Sequence, residues 1–364
     1  MENIDKRLTD ISWEEFKVLT PAAKAFYLSA DGHELHILLA QQFNRKRLDE
    51  IGHLATCIRR LAKTEDGMAF LMAQLSHKRA MLYFTQPSSR TFLSFCAACQ
   101  ILGMQIGEVR DSSVSSEFKG ETREDSVRTF SSYFDLIIMR TELAGFVEKT
   151  AWMLSNSERP IPTINAGSAR DQHPTQALLD IYTLQRSFEQ RGGIDGKSVL
   201  FVGDLARGRT VRSLSSLLTH YKNVKQIFVA PPNLQVGEDV LAELSASGTS
   251  FEVRSDFEPC IRLADAIYMT RIQREWDSET AKTEKSLADF SFGVRHLDML
   301  KAGAVLMHPF PRTGEIAPEV DHDPRAVYWR QMRNGMWVRV ALIAGMFGKD
   351  KPILDYVGSL PGER

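Results

Sequence analysis

The residues with the clearest chemical content stand in short polar clusters, and the first reads Gln86-Pro87-Ser88-Ser89-Arg90-Thr91. It directly precedes a helical apolar pattern, where unpaired first-turn amides and the helix dipole favour an anion. Two serines, a threonine and a guanidinium fork add donors suited to phosphate oxygens. A plain N-cap needs one such hydroxyl and leaves Arg90 unexplained. Arg140 closes a second apolar run. His173 ends a polar loop and is followed by Pro174-Thr175-Gln176. A histidine among apolar neighbours is ordinarily structural, but at the end of a polar loop and before Pro-Thr-Gln it reads as functional.

Three further clusters complete the set. Gly203-Asp204-Leu205-Ala206-Arg207-Gly208-Arg209-Thr210 follows a strand pattern and opens a helix, yet lacks the G-x-G-x-x-G of a dinucleotide loop. Tyr268-Met269-Thr270 leads into Arg271 and Gln273, which share one face of an extended chain. His308-Pro309-Phe310-Pro311-Arg312 ends a late apolar run. Guanidinium forks such as those of Arg209 and Arg271 suit carboxylates. Lys119 lies in a Ser/Gly-rich loop with few apolar anchors, where a charge is ordinarily solvated.

These clusters need strand ends to carry them. Strands are expected at 80–84, 106–110, 136–140, 161–165, 198–203, 226–230, 251–254, 266–270 and 304–308. Helices are expected at 90–102, 122–133, 144–155, 175–190, 210–221, 237–247, 258–264 and about 332–348. Apolar strands alternating with helices imply parallel sheets covered on both faces. The fold class is α/β, as two doubly wound parallel-sheet domains joined by long helices. Ligands of such folds bind beyond the carboxyl ends of strands, where these clusters fall, and six clusters at such edges outline one cleft.

The domain break is expected near Pro174. It divides an N-terminal extension (1–35), a first domain (36–173, completed by a C-terminal helix over 332–364) and a second domain (174–331). The first 35 residues read as peripheral, with a capping box from Ser12 to Glu15.

Composition narrows the function classes. The 364 residues carry a formal net charge of -1, which gives no bulk attraction to nucleic acid or an anionic membrane. No apolar run approaches the roughly 18 residues of a membrane span. The charged N-terminal stretch lacks an apolar signal core, so a cytoplasmic protein is expected. Four cysteines in so long a chain are no disulfide framework. Cys96 and Cys99, spaced C-x-x-C inside an apolar helical stretch without a second pair, read as reduced helix-face residues.

The order of these motifs resembles that of the aspartate and ornithine carbamoyltransferases. Pro87-Ser88-Ser89-Arg90-Thr91 is similar to their P-S-T-R-T carbamoyl-phosphate signature. The likeness continues through Lys119-Gly120-Glu121-Thr122, Arg140, Asn165-Ala166-Gly167, the segment from His173 to Asp180, Val202 to Thr210, Tyr268 to Glu275 and His308 to Arg312. The T-R-x-Q segment at 270–273 resembles the aspartate branch.

The resemblance implies transfer of the carbamoyl group from carbamoyl phosphate to the amine of L-aspartate, within de novo pyrimidine biosynthesis, with no cofactor and no metal. It implies that Ser88, Ser89, Arg90 and Thr91 hold the phosphate, while Thr91, Arg140 and His173 donate to the carbamoyl oxygen. Gln176 and the backbone carbonyls of Pro309 and Phe310 would take the carbamoyl amine. Arg209 would take the α-carboxylate of aspartate, and Arg271 with Gln273 its side-chain carboxylate. Ser115 and Lys119 would reach the active site of a neighbouring subunit, which implies a homotrimer with shared sites. Regulatory chains or a dihydroorotase are the further partners such trimers suggest.

Three positions depart from the family pattern: Gln86 replaces a usual glutamate, Phe92 and Trp276 usual arginines. They bear on closure and affinity, and on none of the residues assigned to chemistry. Phe310 stands where leucine is usual, a change that carbonyl placement survives. Two rival readings remain: a carbamoyltransferase for another amine, opposed by Arg271 and Gln273, and a non-catalytic descendant, opposed by the intact Arg, His and Lys set.

Overall fold

The structure is a computed structural model, and it describes residues 7–30, 33–111, 120–168, 172–271 and 290–360. The chain divides into two compact units, one of Met1–Thr175 with Gly335–Arg364 and one of Gln176–Asn334. The chain passes between them inside two helices, α8 (Pro174–Phe188) and α12 (Tyr328–Met346).

The first unit is built on a four-stranded parallel sheet of order β4-β3-β5-β6. Its strands are β3 (Arg79–Phe84), β4 (Gln105–Val109), β5 (Leu136–Thr141) and β6 (Thr163–Ser168). All of β5 and all but the first residue of β3 are buried, as apolar runs without alternation require. The crossovers are α5 (Ser89–Ile101), α6 (Arg123–Tyr133) and α7 (Phe146–Ser155). Thr122 caps α6 by accepting the Asp125 amide.

Two helices absent from the expected set, α3 (Arg45–Leu61) and α4 (Glu65–Ala73), belong to this unit. Asn44 and Thr64 cap them, and Leu48, Ile51, Leu54, Ile58 and Leu61 give α3 a buried stripe at three- and four-residue spacing. The last helix, α13 (Asp350–Ser359), packs on α3, and Tyr356 stacks on Phe70 of α4 with ring centroids 3.9 Å apart.

The N-terminal segment is not peripheral. Two short helices, α1 (Trp13–Lys17) and α2 (Pro21–Ala25), precede a two-residue pair of strands, β1 (Ser29–Ala30) and β2 (His33–Glu34). Leu8, Phe16 and Leu28 lie in the same core cluster as Met81, Ile137 and Leu154. Trp152 of α7 donates its indole N–H to the Ile11 carbonyl at 2.8 Å. The expected capping box is present, with Ser12 and Glu15 satisfying each other's amides.

The second unit holds a five-stranded parallel sheet of order β11-β10-β7-β8-β9. Its strands are β7 (Ser198–Val202), β8 (Lys225–Val229), β9 (Ser250–Arg254), β10 (Ala266–Met269) and β11 (Val305–Met307). Helices α9 (Arg209–Leu218), α10 (Glu238–Ala246) and α11 (Glu258–Ile261) connect them. Its core joins strand residues such as Leu200, Ile227 and Ile267 to Ile261, Phe292 and Tyr328. No described helix is long and apolar enough to cross a membrane.

Both sheets reverse their winding once. In the first, β4 lies on one side of β3 and β5 on the other; in the second, β8 and β10 flank β7 in the same way. At such a reversal the two chain connections leave in opposite directions and open a crevice beyond the strand ends.

Candidate active site

In the first unit the reversal places the 85–91 loop beside Arg140. Strands β3 and β5 pair in register up to Phe84 opposite Arg140, and the Thr85 amide then donates to the Arg140 carbonyl at 3.0 Å. Ser88 stands at the N-cap of α5, yet its hydroxyl caps no first-turn amide. The first backbone bond of the helix runs from the Phe92 amide to the Ser88 carbonyl at 3.1 Å. The amides of Ser89, Arg90 and Thr91 therefore precede the helical ladder, as anion binding at a helix start requires. Ser89 and Arg90 are exposed, Ser88 is half-buried, and Thr91 is buried.

Arg140 is only 8% exposed. Its Nη1 donates to the Ala166 carbonyl of the adjoining β6 at 3.0 Å, which fixes the plane of the guanidinium. Gly167 makes this placement feasible. Its φ of +116° suits glycine alone, and a Cβ there would stand 2.4 Å from Arg140 Nη1 and 3.3 Å from His173 Cδ2. The empty glycine face is thus the space in which Arg140 and His173 meet. Asn165 sets the turn by accepting the Gly167 amide at 2.8 Å while donating to the Leu38 carbonyl at 3.1 Å. Gln172, next to His173, accepts the Ala40 amide and donates to Gln41, both at 2.8 Å.

In the second unit the reversal brings together the segments after β7 and β10. Gly203 has φ +115°, and a Cβ there would lie 2.6 Å from Thr270 Oγ1. Thr270 returns its amide and hydroxyl to the Val202 carbonyl at 2.8 and 2.9 Å. Fully buried Asp204 accepts the Arg207 amide at 3.1 Å, shaping the loop that delivers Arg209 to the first position of α9. Arg209 and Arg271, half-buried, follow β7 and its neighbour β10.

A buried polar network lies beside them. Asp180, fully buried on α8, accepts from Gln176 Nε2 at 2.9 Å, from Gln331 Nε2 at 2.7 Å and from the Tyr268 hydroxyl at 2.7 Å. Burial, with the Asp180 charge beside it, pushes the Tyr268 phenol well up, so it stays a donor. Gln331 Oε1 accepts the His308 amide at 2.9 Å, and His308 Nδ1 accepts the Phe310 amide at 2.8 Å. Phe310 adopts a left-handed φ of +59° and precedes a cis proline bond. Burial alone would raise the Glu315 carboxyl. The His308 ring, with Nε2 3.6 Å from the carboxylate, and hydrogen bonds from the Thr313 amide and hydroxyl outweigh it and hold the group down at about 2.

The structure thus groups Ser88, Ser89, Arg90, Thr91, Arg140 and His173 in the first unit. It groups Gln176, Arg209, Arg271, Pro309 and Phe310 in the second. Ser115, Lys119, Gln273 and Trp276 lie outside the described residues. Sequence reasoning gave Gly167, Asp180 and Gln331 no role, although Gly167 and Asp180 stand inside motifs of the resemblance. Of the departures, half-buried Gln86 has a buried Oε1 without a hydrogen-bond partner among the described residues. Phe92 is buried, edge-on to Phe84, and the Arg110 guanidinium covers its ring at 4.4 Å. Cys96 and Cys99 are free thiols on α5. No group of three or more His, Cys, Asp or Glu among the described residues could hold a metal ion.

Residues 35–186 match the family model of the aspartate/ornithine carbamoyltransferase carbamoyl-P binding domain, and 195–346 that of the Asp/Orn binding domain. The chain is 38% identical over 346 residues to a chloroplastic aspartate carbamoyltransferase of Arabidopsis thaliana, covering 94% of this chain and 83% of that one. It superposes on the catalytic subunit of M. Jannaschii aspartate transcarbamoylase with a TM-score of 0.77 at 32% identity, over 87% of this chain and 99% of that one. Aspartate transcarbamoylase from Trypanosoma cruzi, solved in complex with N-(phosphonacetyl)-L-aspartic acid, gives 0.74 at 35% identity over 85% and 94%. Motif order, two parallel α/β units and these likenesses agree: the chain belongs to the aspartate/ornithine carbamoyltransferase family.

Proposed function

We propose that this chain transfers the carbamoyl group from carbamoyl phosphate to the amine of L-aspartate, releasing phosphate, with the first unit holding carbamoyl phosphate and the second holding aspartate. The observation that carries the site assignment is the convergence of buried Arg140 and His173 across the bare face of Gly167, one strand from the helix start at Ser88–Thr91. Arg140 near the end of a strand, Thr91 in the first turn of a helix and His173 directly before α8 support the reading, because donors held on or against regular elements are positioned better than those on free loops.

The phosphate is taken by the amides and hydroxyls at 88–91 and by Arg90. Thr91, Arg140 and His173 donate to the carbamoyl oxygen, whose negative charge grows as the amine attacks. Donors already fixed in place stabilise that charge without reorganising, and removing one typically costs about 10²- to 10³-fold in rate. The departing phosphate, itself a base, takes the amine's proton, so no carboxylate base is required. Gln176 and the carbonyls of Pro309 and Phe310 accept from the carbamoyl NH₂. Arg209 binds the α-carboxylate of aspartate, and Arg271 with Gln273 the side-chain carboxylate.

The working form is a homotrimer in which Ser115 and Lys119 of one subunit complete the site of its neighbour. Phosphate release from carbamoyl phosphate, measured with aspartate, ornithine and a panel of other amines, tests the activity. Release dependent on aspartate alone is expected; equal release with ornithine, or none with any amine, overturns the reading. Sedimentation of the purified chain tests the trimer.

A further inference from the structure

Gln176 and the Pro309-Phe310 segment, the two groups that would accept from the carbamoyl NH₂, are both tied to one carboxylate. Asp180 lies one helical turn beyond Gln176, and the two meet as an i,i+4 pair at 2.9 Å. A carboxylate only accepts, so it can face only the NH₂ end of the Gln176 amide. Gln176 Oε1 is thereby turned away from Asp180 and kept as an acceptor for substrate. With the amide reversed, two acceptors would meet in a buried position, which costs about 1–3 kcal/mol.

The same chemistry passes through Gln331. Its NH₂ faces Asp180 at 2.7 Å, so its Oε1 is left for the His308 amide at 2.9 Å. His308 Nδ1 then takes the Phe310 amide at 2.8 Å. Phe310 sits at φ +59°, a conformation a phenylalanine keeps only where its surroundings hold it. Three donors from α8, β10 and α12 thus converge on Asp180, and the direction of every amide in the chain follows from its being an acceptor on both oxygens.

We infer that Asp180 is a positioning residue that orients both acceptors of the carbamoyl amine, and so sets the preference for a carbamoyl phosphate over an acyl phosphate lacking the NH₂. The inference rests on the proposed function for its substrate. An asparagine at 180 would present an NH₂ to one of the three donors. Gln176 or Gln331 would then turn over, and an N–H would point where the carbamoyl NH₂ must donate.

The test compares equilibrium binding of carbamoyl phosphate, acetyl phosphate and inorganic phosphate to the full chain. The unaltered protein is expected to prefer carbamoyl over acetyl phosphate. In Asp180→Asn that preference falls about tenfold, as expected for a lost or reversed hydrogen bond. Binding of inorganic phosphate, which touches neither acceptor, stays the same. Gln176→Ala lowers the same ratio, and adding it to Asp180→Asn lowers it little further. An unchanged ratio in folded Asp180→Asn, or an equal loss for all three ligands, overturns the positioning role. Should Asp180→Asn fail to fold, Gln331→Met removes the link from Asp180 to His308 at nearly constant volume; a preference kept intact there overturns the inference as well. No preference in the unaltered protein would instead sink the proposed function, and this inference with it.

Discussion

Gly167→Ala is the most economical perturbation of the candidate site, because it adds one methyl group and removes nothing. Two costs can be separated. The backbone stands at φ +116°, well outside the regions an L side chain adopts, and such strain costs about 1–3 kcal/mol. The methyl would also sit 2.4 Å from Arg140 Nη1, a distance no real pair of atoms tolerates, so the guanidinium must move by roughly an ångström to reach van der Waals contact. That shift breaks its 3.0 Å bond to the Ala166 carbonyl, and His173, whose Cδ2 is 3.3 Å away, yields as well. Both residues would serve the same oxygen, so their losses do not add. The expected result is a kcat lowered about 10²- to 10³-fold, the range for losing one preorganised donor.

The assay is steady-state phosphate release at saturating substrates, with thermal unfolding followed in parallel. Gly192→Ala is the control: φ is +80° there and nothing lies within 4 Å of the added methyl, so strain is present without a clash. Gly192→Ala should lose some stability and keep its turnover. A Gly167→Ala enzyme within a few fold of the original kcat, folded at the assay temperature, would refute the argument that Gly167 makes room for two catalytic donors.

Arg140→Ala should fold and lose about 10²- to 10³-fold in turnover; near-normal phosphate release would remove its role at the carbamoyl oxygen. Lys119→Ala and Arg140→Ala, each inactive alone, should regain activity when their subunits are dissociated, mixed and reassembled, because a hybrid site can draw Arg140 from one chain and Lys119 from its neighbour. No regain with exchange proved by mass would place Lys119 in its own subunit's site or outside catalysis. Acid should weaken both units. Burial holds His36 down at about 3 against an ordinary 6.5, so its share of stability is complete above pH 6.5 and lost as pH falls toward 3. Glu315, held down at about 2 against 4.5, loses its share between pH 4.5 and 2. Urea midpoints across pH 7 to 3 should show a shallower acid limb in Glu315→Gln below pH 4.5, and an unchanged limb would count against the Glu315 shift.

The strands were readable because parallel strands buried on both faces are continuous apolar runs. Where the limits moved, a local cause is visible. The run expected at 161–165 becomes Thr163–Ser168, since Pro160 and Pro162 cannot donate to a ladder and the polar Asn165-Ala166-Gly167-Ser168 continues it. Helix α3 had its signal in Leu48, Ile51, Leu54, Ile58 and Leu61, diluted by Asp49, Glu50, Arg59 and Arg60 between them and by Arg45, Lys46 and Arg47 before them. The N-terminal segment looked peripheral because its apolar residues are scattered among charges; Leu8, Phe16 and Leu28 become core only once α7 gives them a surface.

The candidate site divides in the same way between what lies along the chain and what strand order decides. A sequence shows that Arg140 ends a strand and that Ser88–Thr91 opens a helix, but not that the two strands are neighbours. Had β5 joined the sheet beside β4, Arg140 would stand two strands from the 85–91 loop instead of taking the Thr85 and Gln86 amides on its own carbonyl. Arg209 and Arg271 depend likewise on β10 lying against β7, where Gly203 admits Thr270. Residues whose only task is to hold others were the least readable of all. Asp180 and Gln331 carry no spacing that distinguishes them from polar helix residues facing water. What marks them is that donors from three separate elements end on one buried carboxylate, and that convergence exists only in three dimensions.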